Sequence, residues 1–185
     1  MKKKFLLFMV CATLMAIPAH AAKTYVSGSV GLGLPENALW RGSIEDNLNN
    51  SVVVNGAVGC NFNPARVELG ISYQSHKYTE YHPLWGDMSF LTVMGNGYYD
   101  FKAVSNISPY LMAGVGWVDV HTSNYFMNQS AFAWQAGAGL GIKVAREMTV
   151  DLGYRHLKPE GLHSIMNDKL TWAGHNILAG VRYAF

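Results

Sequence analysis

The stretch His175 to Phe185 runs H-N-I-L-A-G-V-R-Y-A-F. Counting back from Phe185, every second residue is apolar or aromatic (Tyr183, Val181, Ala179, Ile177), while Arg182 and Asn176 occupy positions between them. A period of two sets an apolar face against a mixed one, the pattern of a strand rather than a helix. Such a strand fits a sandwich with a dry core. It also fits a barrel whose apolar face meets lipid.

The other end of the chain favours the second fit. Lys2, Lys3 and Lys4 precede an apolar run from Phe5 to Ile17, then Pro18 and the small-residue sequence Ala19-His20-Ala21. That is the layout of a secretory signal peptide, so residues 1–21 are expected to be cleaved and residues 22–185 to form one domain. The apolar run is shorter than the roughly 20 residues a spanning helix needs. Cys11 does not make a lipoprotein signal, because small residues do not precede it.

Composition narrows the class further. The whole chain carries a formal charge of +2, but three of its fourteen basic residues sit in the leader, so the remainder has eleven basic against twelve acidic residues. Nucleic-acid binding is not expected. Half the residues are hydrophobic, yet no later segment approaches 18 consecutive apolar residues, which excludes helical spans. Apolar residues dispersed at alternate positions are how a barrel conceals its membrane signal. After the leader only Cys60 remains, so no internal disulfide can form, and Cys60 is read as a small apolar residue.

Eight segments show strand signals. Tyr25 to Leu34 sets Val26, Val30, Leu32 and Leu34 against Ser27 and Ser29. Ser51 to Phe62 sets Val52, Val54, Val58, Cys60 and Phe62 against Ser51, Asn55 and Asn61. Val67 to His76 opposes Val67, Leu69, Ile71 and Tyr73 to Glu68, Ser72, Gln74 and His76. Ser89 to Phe101 opposes Leu91, Val93, Tyr99 and Phe101 to Thr92, Asn96 and Asp100. In Ser108 to Val120 either facing is open, because Gly114 and Gly116 remove the contrast. Phe132 to Val144 points Gln135 and Lys143 away from its apolar face, Thr149 to His156 does so with Asp151 and Arg155, and the closing segment runs from about Thr171 to Phe185.

Connector length predicts orientation. Pro35 to Asn50, Tyr78 to Asp87, Ser123 to Ser130 and Pro159 to Leu170 are long, and they alternate with the short Asn63 to Arg66, Lys102 to Asn106 and Arg146 to Met148. Membrane barrels have short periplasmic turns and long external loops, so both termini are expected in the periplasm. Two aromatic belts are expected as well, with Phe62, Tyr99, Phe101, Tyr110, Tyr183 and Phe185 at the periplasmic ends and Trp117, Trp134, Trp172 and Tyr73 at the outer ends. The expected fold is all-β, an eight-stranded antiparallel transmembrane up-and-down barrel with four long external loops.

Pro109 to Trp117 (P-Y-L-M-A-G-V-G-W), Phe132 to Ile142 (F-A-W-Q-A-G-A-G-L-G-I), Thr149 to Arg155 (T-V-D-L-G-Y-R) and I-L-A-G-V-R-Y-A-F at the end resemble the small OmpA-like and opacity-type outer-membrane β-barrels of Gram-negative bacteria, often called a porin family. The resemblance covers the mature chain and is densest from Pro109. It implies the outer membrane, a surface antigen or adhesin, and contact with lipid, lipopolysaccharide and host or matrix ligands. The terminal pair Tyr183 and Phe185 is read as a signal to the barrel-assembly machinery.

Within eight strands the interior is only wide enough for side chains. Glu68, Lys143, Asp151, Arg155 and Arg182 are expected there as a polar network rather than an open channel. Outside, Trp40 and Arg41 in the first long loop, Tyr81 and Trp85 in the second, and Tyr125 and Phe126 in the third are residue types enriched at binding hot spots; packing among themselves or resting on lipopolysaccharide is the competing account.

The six histidines beyond the leader, His76, His82, His121, His156, His163 and His175, all fall toward the external side. No pair has a recognised ligand spacing, so they are read as surface polar residues, and neither metal nor cofactor is expected. His121-Thr122-Ser123-Asn124 resembles the H-x-S-N of outer-membrane lipid A deacylases, and Glu160, His163 and Ser164 form a second hint. Catalysis there needs a carboxylate to orient the histidine, and Glu147 is expected at the opposite rim. The chain is therefore not read as an enzyme; a narrow channel and a lipid A modifying activity stand as alternatives.

Overall fold

The computed structural model describes residues 23–36, 38–40, 44–46, 49–76, 88–102, 104–122, 129–163 and 169–185. The expected leader lies outside them. Twelve strands follow in chain order: β1 (Lys23–Pro35), β2 (Ala38–Trp40), β3 (Ile44–Asp46), β4 (Ser51–Asn61), β5 (Ala65–His76), β6 (Met88–Asp100), β7 (Ile107–Thr122), β8 (Gln129–Lys143), β9 (Met148–Glu160), β10 (Leu162–His163), β11 (Lys169–Thr171) and β12 (Gly174–Ala184). Eight of them close a barrel in the order β1-β12-β9-β8-β7-β6-β5-β4, and every neighbouring pair is antiparallel. Among the described residues no helix is long and apolar enough to cross a membrane, and a barrel needs none.

The outward face is apolar where water would forbid it. Val30, Val54, Ile71, Val115, Trp117 and Ile177 are each more than half exposed, a continuous band that a soluble monomer does not carry. Aromatic side chains border it. Tyr99 lies 5.2 Å from Phe101 and Tyr183 lies 6.0 Å from Phe185 at the short-turn end, while Trp117, Tyr73 and Phe132 are exposed toward the other.

Two members of the expected belts face the lumen instead. Tyr110 is buried inside, because β7 resolves its ambiguous facing with Leu111, Val115 and Trp117 outward and Tyr110, Met112, Val118 and Val120 inward. Trp172 is also internal, stacked on Phe90 at 4.6 Å and 10°. Cys60 has the outward parity of Val58 yet is buried.

At the long-connector end β8 and β9 run further than expected, while the closing strand starts later. β8 begins at Gln129 and β9 continues to Glu160, because Leu157 and Pro159 keep the buried parity while His156, Lys158 and Glu160 continue the outward one. Polar outward residues made this part resemble a loop. The closing strand begins at Gly174 rather than Thr171, which belongs to β11.

The first and last long connectors are not separate loops. β10, β11, β2 and β3 form a second sheet, with Leu170 opposite Trp40 and Thr171 opposite Leu39. The register explains their meeting: β1 and β9 both flank β12, so the connector leaving β1 and the one entering β12 start side by side.

Glycine positions inside the barrel reserve volume for aromatic rings. A Cβ on Gly139 would collide with the Tyr110 hydroxyl and the Leu152 carbonyl, whereas one on Gly56 would meet nothing within 4 Å. Gly139→Ala is therefore expected to destabilise the barrel by about 1–3 kcal/mol through overpacking, and Gly56→Ala to be neutral. The check is the heat-dependent gel shift of the detergent-folded protein and its urea midpoint; equal behaviour of the two variants would refute the packing.

Candidate functional site

Two sets of side chains carry chemistry: those filling the lumen and those on the outward face of the long-connector rim. The lumen set is built by register. Arg66 faces Tyr98 across β5 and β6, and Asp100 stands one diagonal step away, a spacing within reach of long side chains. Arg66 donates to Asp100 through Nε at 2.6 Å and a terminal nitrogen at 2.8 Å, a two-pronged pairing. Its guanidinium lies 4.2 Å from the Tyr98 ring centroid, 5.4 Å from Tyr110 and 5.9 Å from Tyr25. At 2 % exposure Arg66 is the most enclosed charge described in the barrel.

Around it the expected interior residues fall into place. Glu68 accepts hydrogen bonds from Tyr25 at 3.2 Å, Tyr98 at 2.8 Å and Ser27 at 3.3 Å. Arg182 donates to Asp151 at 3.0 Å and lies 5.5 Å from the Tyr25 ring; Arg155 reaches the Tyr98 hydroxyl at 3.5 Å. Gln135 donates to Asn96 at 2.6 Å although a strand separates them. Gly114, opposite both, makes this possible, since a Cβ there would strike the Asn96 amide oxygen.

Lys143 does not belong to the set. It is exposed at the last position of β8, beyond the packed interior, and makes no ion pair among the described residues. In the sequence Arg66 reads as the last residue of the short connector Asn63 to Arg66 and Tyr110 as part of an aromatic belt, while Tyr25 and Tyr98 carry no facing. Alternation carried the missing signal: Arg66 shares parity with Glu68.

Toward the long-connector end the lumen turns apolar, with Phe90, Met94, Val118, Val120, Leu157 and Trp172 packed together. His76, expected on the surface, is 1 % exposed here. Its Nδ1–H donates to the Asn49 carbonyl at 2.9 Å, its Nε2 pairs with Ser51 Oγ at 3.2 Å, and the ring meets Phe90 edge-on at 5.7 Å. The polar part of the lumen retains a cavity of about 30 Å³ bordered by Glu68, Asn96, Gln135 and Arg155. That is room for about one water.

The outward rim holds His156 and His175, which β9 and β12 place directly opposite each other. Their ring centroids are 5.0 Å apart, and His175 Nε2 lies 2.6 Å from Glu36 Oε1. Sequence spacing could not show this, because 19 positions separate the two histidines and strand register alone joins them. Trp134 stands beside His156 at 5.6 Å and donates from Nε1 to Glu160 at 3.2 Å, with Lys158 3.7 Å from the same carboxylate. His121 is exposed near the end of β7, and Glu147 lies in the opposite turn between β8 and β9. Ser123, Asn124 and Ser164, together with His82, Arg41, Tyr81, Trp85, Tyr125 and Phe126, lie outside the described residues; Trp40 is described through its backbone, paired with Ile44 and Leu170.

A family model, the outer membrane protein beta-barrel domain, matches residues 6–185. The chain belongs to that family. It is an outer-membrane β-barrel of the kind found in Gram-negative bacteria. Outer membrane protein PagN of Salmonella typhimurium is 28 % identical to it over 51 % of this chain and 49 % of that protein, so the match spans about half the length of that curated relative. Neisserial surface protein A shares the fold with a TM-score of 0.69 at 18 % identity, over 89 % of this chain and 99 % of that one. Ail, the attachment invasion locus protein of Yersinia pestis, does so with a TM-score of 0.53 at 18 % identity, over 87 % and 99 %.

The geometry makes Arg66 the keystone charge. Arg66→Met leaves the partly enclosed Asp100 unpaired, and the expected cost is about 3–5 kcal/mol. Urea unfolding in phospholipid vesicles, followed by tryptophan fluorescence, measures it. A loss below about 1 kcal/mol would show that the pair does not support the lumen.

Proposed function

We propose that this outer-membrane barrel contributes to envelope integrity and displays a binding surface for recognition or adhesion. The observation that carries the reading is the four-stranded sheet made from the connectors of β1 and β9. A chain that merely needs to turn around spends few residues on it; here the connectors pair with each other and hold the Trp40 backbone between Ile44 and Leu170. Sites positioned by strands are more defined than sites on isolated loops. Arg41, Tyr81, Trp85, Tyr125 and Phe126 are proposed to complete this surface from the first, second and third long connectors.

Orientation belongs to the same proposal. Lys23 and Ala184 sit at the short-turn end, which we assign to the periplasm, with residues 1–21 acting as a cleaved export signal. Tyr183 and Phe185, both outward and exposed, would then present the C-terminal signal to the barrel-assembly machinery. The exposed apolar band faces lipid, and the rim faces lipopolysaccharide. The partners proposed beyond the membrane are host or matrix ligands; neither an enzymatic role nor open diffusion is part of the reading.

The deciding experiment compares adhesion of cells displaying the intact protein with cells in which 37–48 and 161–171 are replaced by short turns, at matched surface expression. Binding to host cells or matrix proteins should fall at least several-fold, and Trp40→Ala should reproduce part of the loss. Equal binding by both forms would sink the recognition role. In planar bilayers the folded protein is expected to show no stepwise conductance, and steps sensitive to Arg155 or Arg182 substitution would instead establish a channel.

A further inference from the structure

Three contiguous strands bring three ligand-type side chains together on the outward rim. Glu36 directly follows β1, His175 lies on β12 opposite Leu34, and His156 lies on β9 opposite His175. One donor atom from each lies within 4.8 Å of the others. The closest contact is His175 Nε2 to Glu36 Oε1 at 2.6 Å, and His156 Nδ1 is 4.0 Å from the same oxygen. None is sealed off: the side chains are 27–48 % exposed.

The 2.6 Å contact poses a chemical question. A neutral imidazole carries one N–H and one lone pair, so Nε2 facing Glu36 either donates a proton to the carboxylate or offers its lone pair to an ion that the carboxylate also binds. The neighbours of His175 can fix the tautomer that an ion requires. Tyr154 places its hydroxyl 2.5 Å from His175 Nδ1, with its ring stacked on the imidazole at 22°. When Nδ1–H donates to that oxygen, the Nε2 lone pair points toward Glu36, and fixing the tautomer through the second nitrogen is how metal-binding histidines are oriented. Trp134 confines His156 from its other side. A proton would need only Glu36 and His175; the third donor is what an ion with several ligands requires.

We propose that Glu36, His156 and His175 form a binding site for a divalent transition-metal ion of the zinc class. Tetrahedral zinc, with bonds of about 2.0–2.2 Å, needs donors about 3.3 Å apart; the two separations from Glu36, 2.6 and 4.0 Å, bracket that value, and all three donors lie within 4.8 Å of one another, so they must draw together around the ion. Two imidazoles and one carboxylate suit zinc, copper or nickel, whereas magnesium and calcium select oxygen. Three protein ligands leave a coordination position open to the exterior of the rim. The ion would tie the beginning of the β2–β3 connector to β9 and β12, where Glu36 N already bonds the Ala173 carbonyl at 2.9 Å.

The test uses full-length mature protein without a histidine tag, folded in detergent micelles and titrated with ZnCl₂ at pH 7.5 by calorimetry. Parallel titrations use MgCl₂ and CaCl₂, and Co²⁺ absorption reports tetrahedral coordination. The wild type should take up one more Zn²⁺ than the His156→Ala/His175→Ala double variant, Glu36→Gln should weaken that uptake at least ten-fold, and Tyr154→Phe should weaken it about ten-fold. Magnesium and calcium should not compete. Folding of each variant is verified by the heat-dependent gel shift, and Glu36→Gln, outside the strands, keeps the result decisive if a strand substitution impairs folding. Equal Zn²⁺ stoichiometry and affinity in the wild type and the folded variants, or no saturable uptake by the wild type, would overturn the site and leave a proton-shared His175–Glu36 pair.

Discussion

Inside hydrocarbon the backbone has no water to bond, so each N–H and C=O in a spanning strand must find its partner within the protein. In this chain that requirement is met by the pairing of β1 with β12, which runs from Tyr25 opposite Ala184 to Pro35 opposite Gly174. Phe185 N continues it by donating to the Thr24 carbonyl at 3.0 Å. Remove this seam and two edges stand open in lipid. The alternation of the last strand, its glycines and its close approach to the first strand all serve that one closure.

Closure at eight strands sets the interior problem. The ring is wide enough for side chains and for little else, so polar groups directed inward must satisfy one another. Most do so in layers, although Gln74 Oε1, Trp172 Nε1 and Arg182 Nε are buried without a hydrogen-bond partner among the described residues. At one end Arg66, Asp100 and three tyrosines form a charged and aromatic plug; Glu68, Asn96, Gln135 and Arg155 follow; then the lumen becomes apolar around Phe90 and Trp172. Large rings fit because glycines stand opposite them, as Gly139 does for Tyr110.

The outward face changes character where the strands leave the apolar band. Along β9 it passes from Leu152 to Tyr154, His156, Lys158 and Glu160 without interrupting the ladder to β8. The same strands therefore serve two solvents. Carried past the lipid, the ladder gives rim side chains the fixed spacing of a sheet, and this is why Glu36, His156 and His175 converge and why the connectors of β1 and β9 start close enough to pair.

The sequence by itself determined the eight strands of the all-β barrel and the inward placement of Glu68, Asp151, Arg155 and Arg182, because each follows from a period of two within one segment, and the spacing of those segments showed the alternation of long and short connectors. It did not reveal the inward course of Tyr25, Tyr98, Tyr110 and Trp172, since an aromatic residue is compatible with either face when the lumen is itself partly apolar. It misplaced Lys143, whose parity is inward but whose strand ends there, and His76, whose polarity suggested the surface. Above all, it could not show which residues of different strands would touch. That is decided by register between segments far apart in the chain: Arg66 with Asp100, Leu170 with Trp40, His156 with His175. Periodicity is local and was legible; adjacency around a closed barrel is a property of the ring as a whole, and only the tertiary structure holds it.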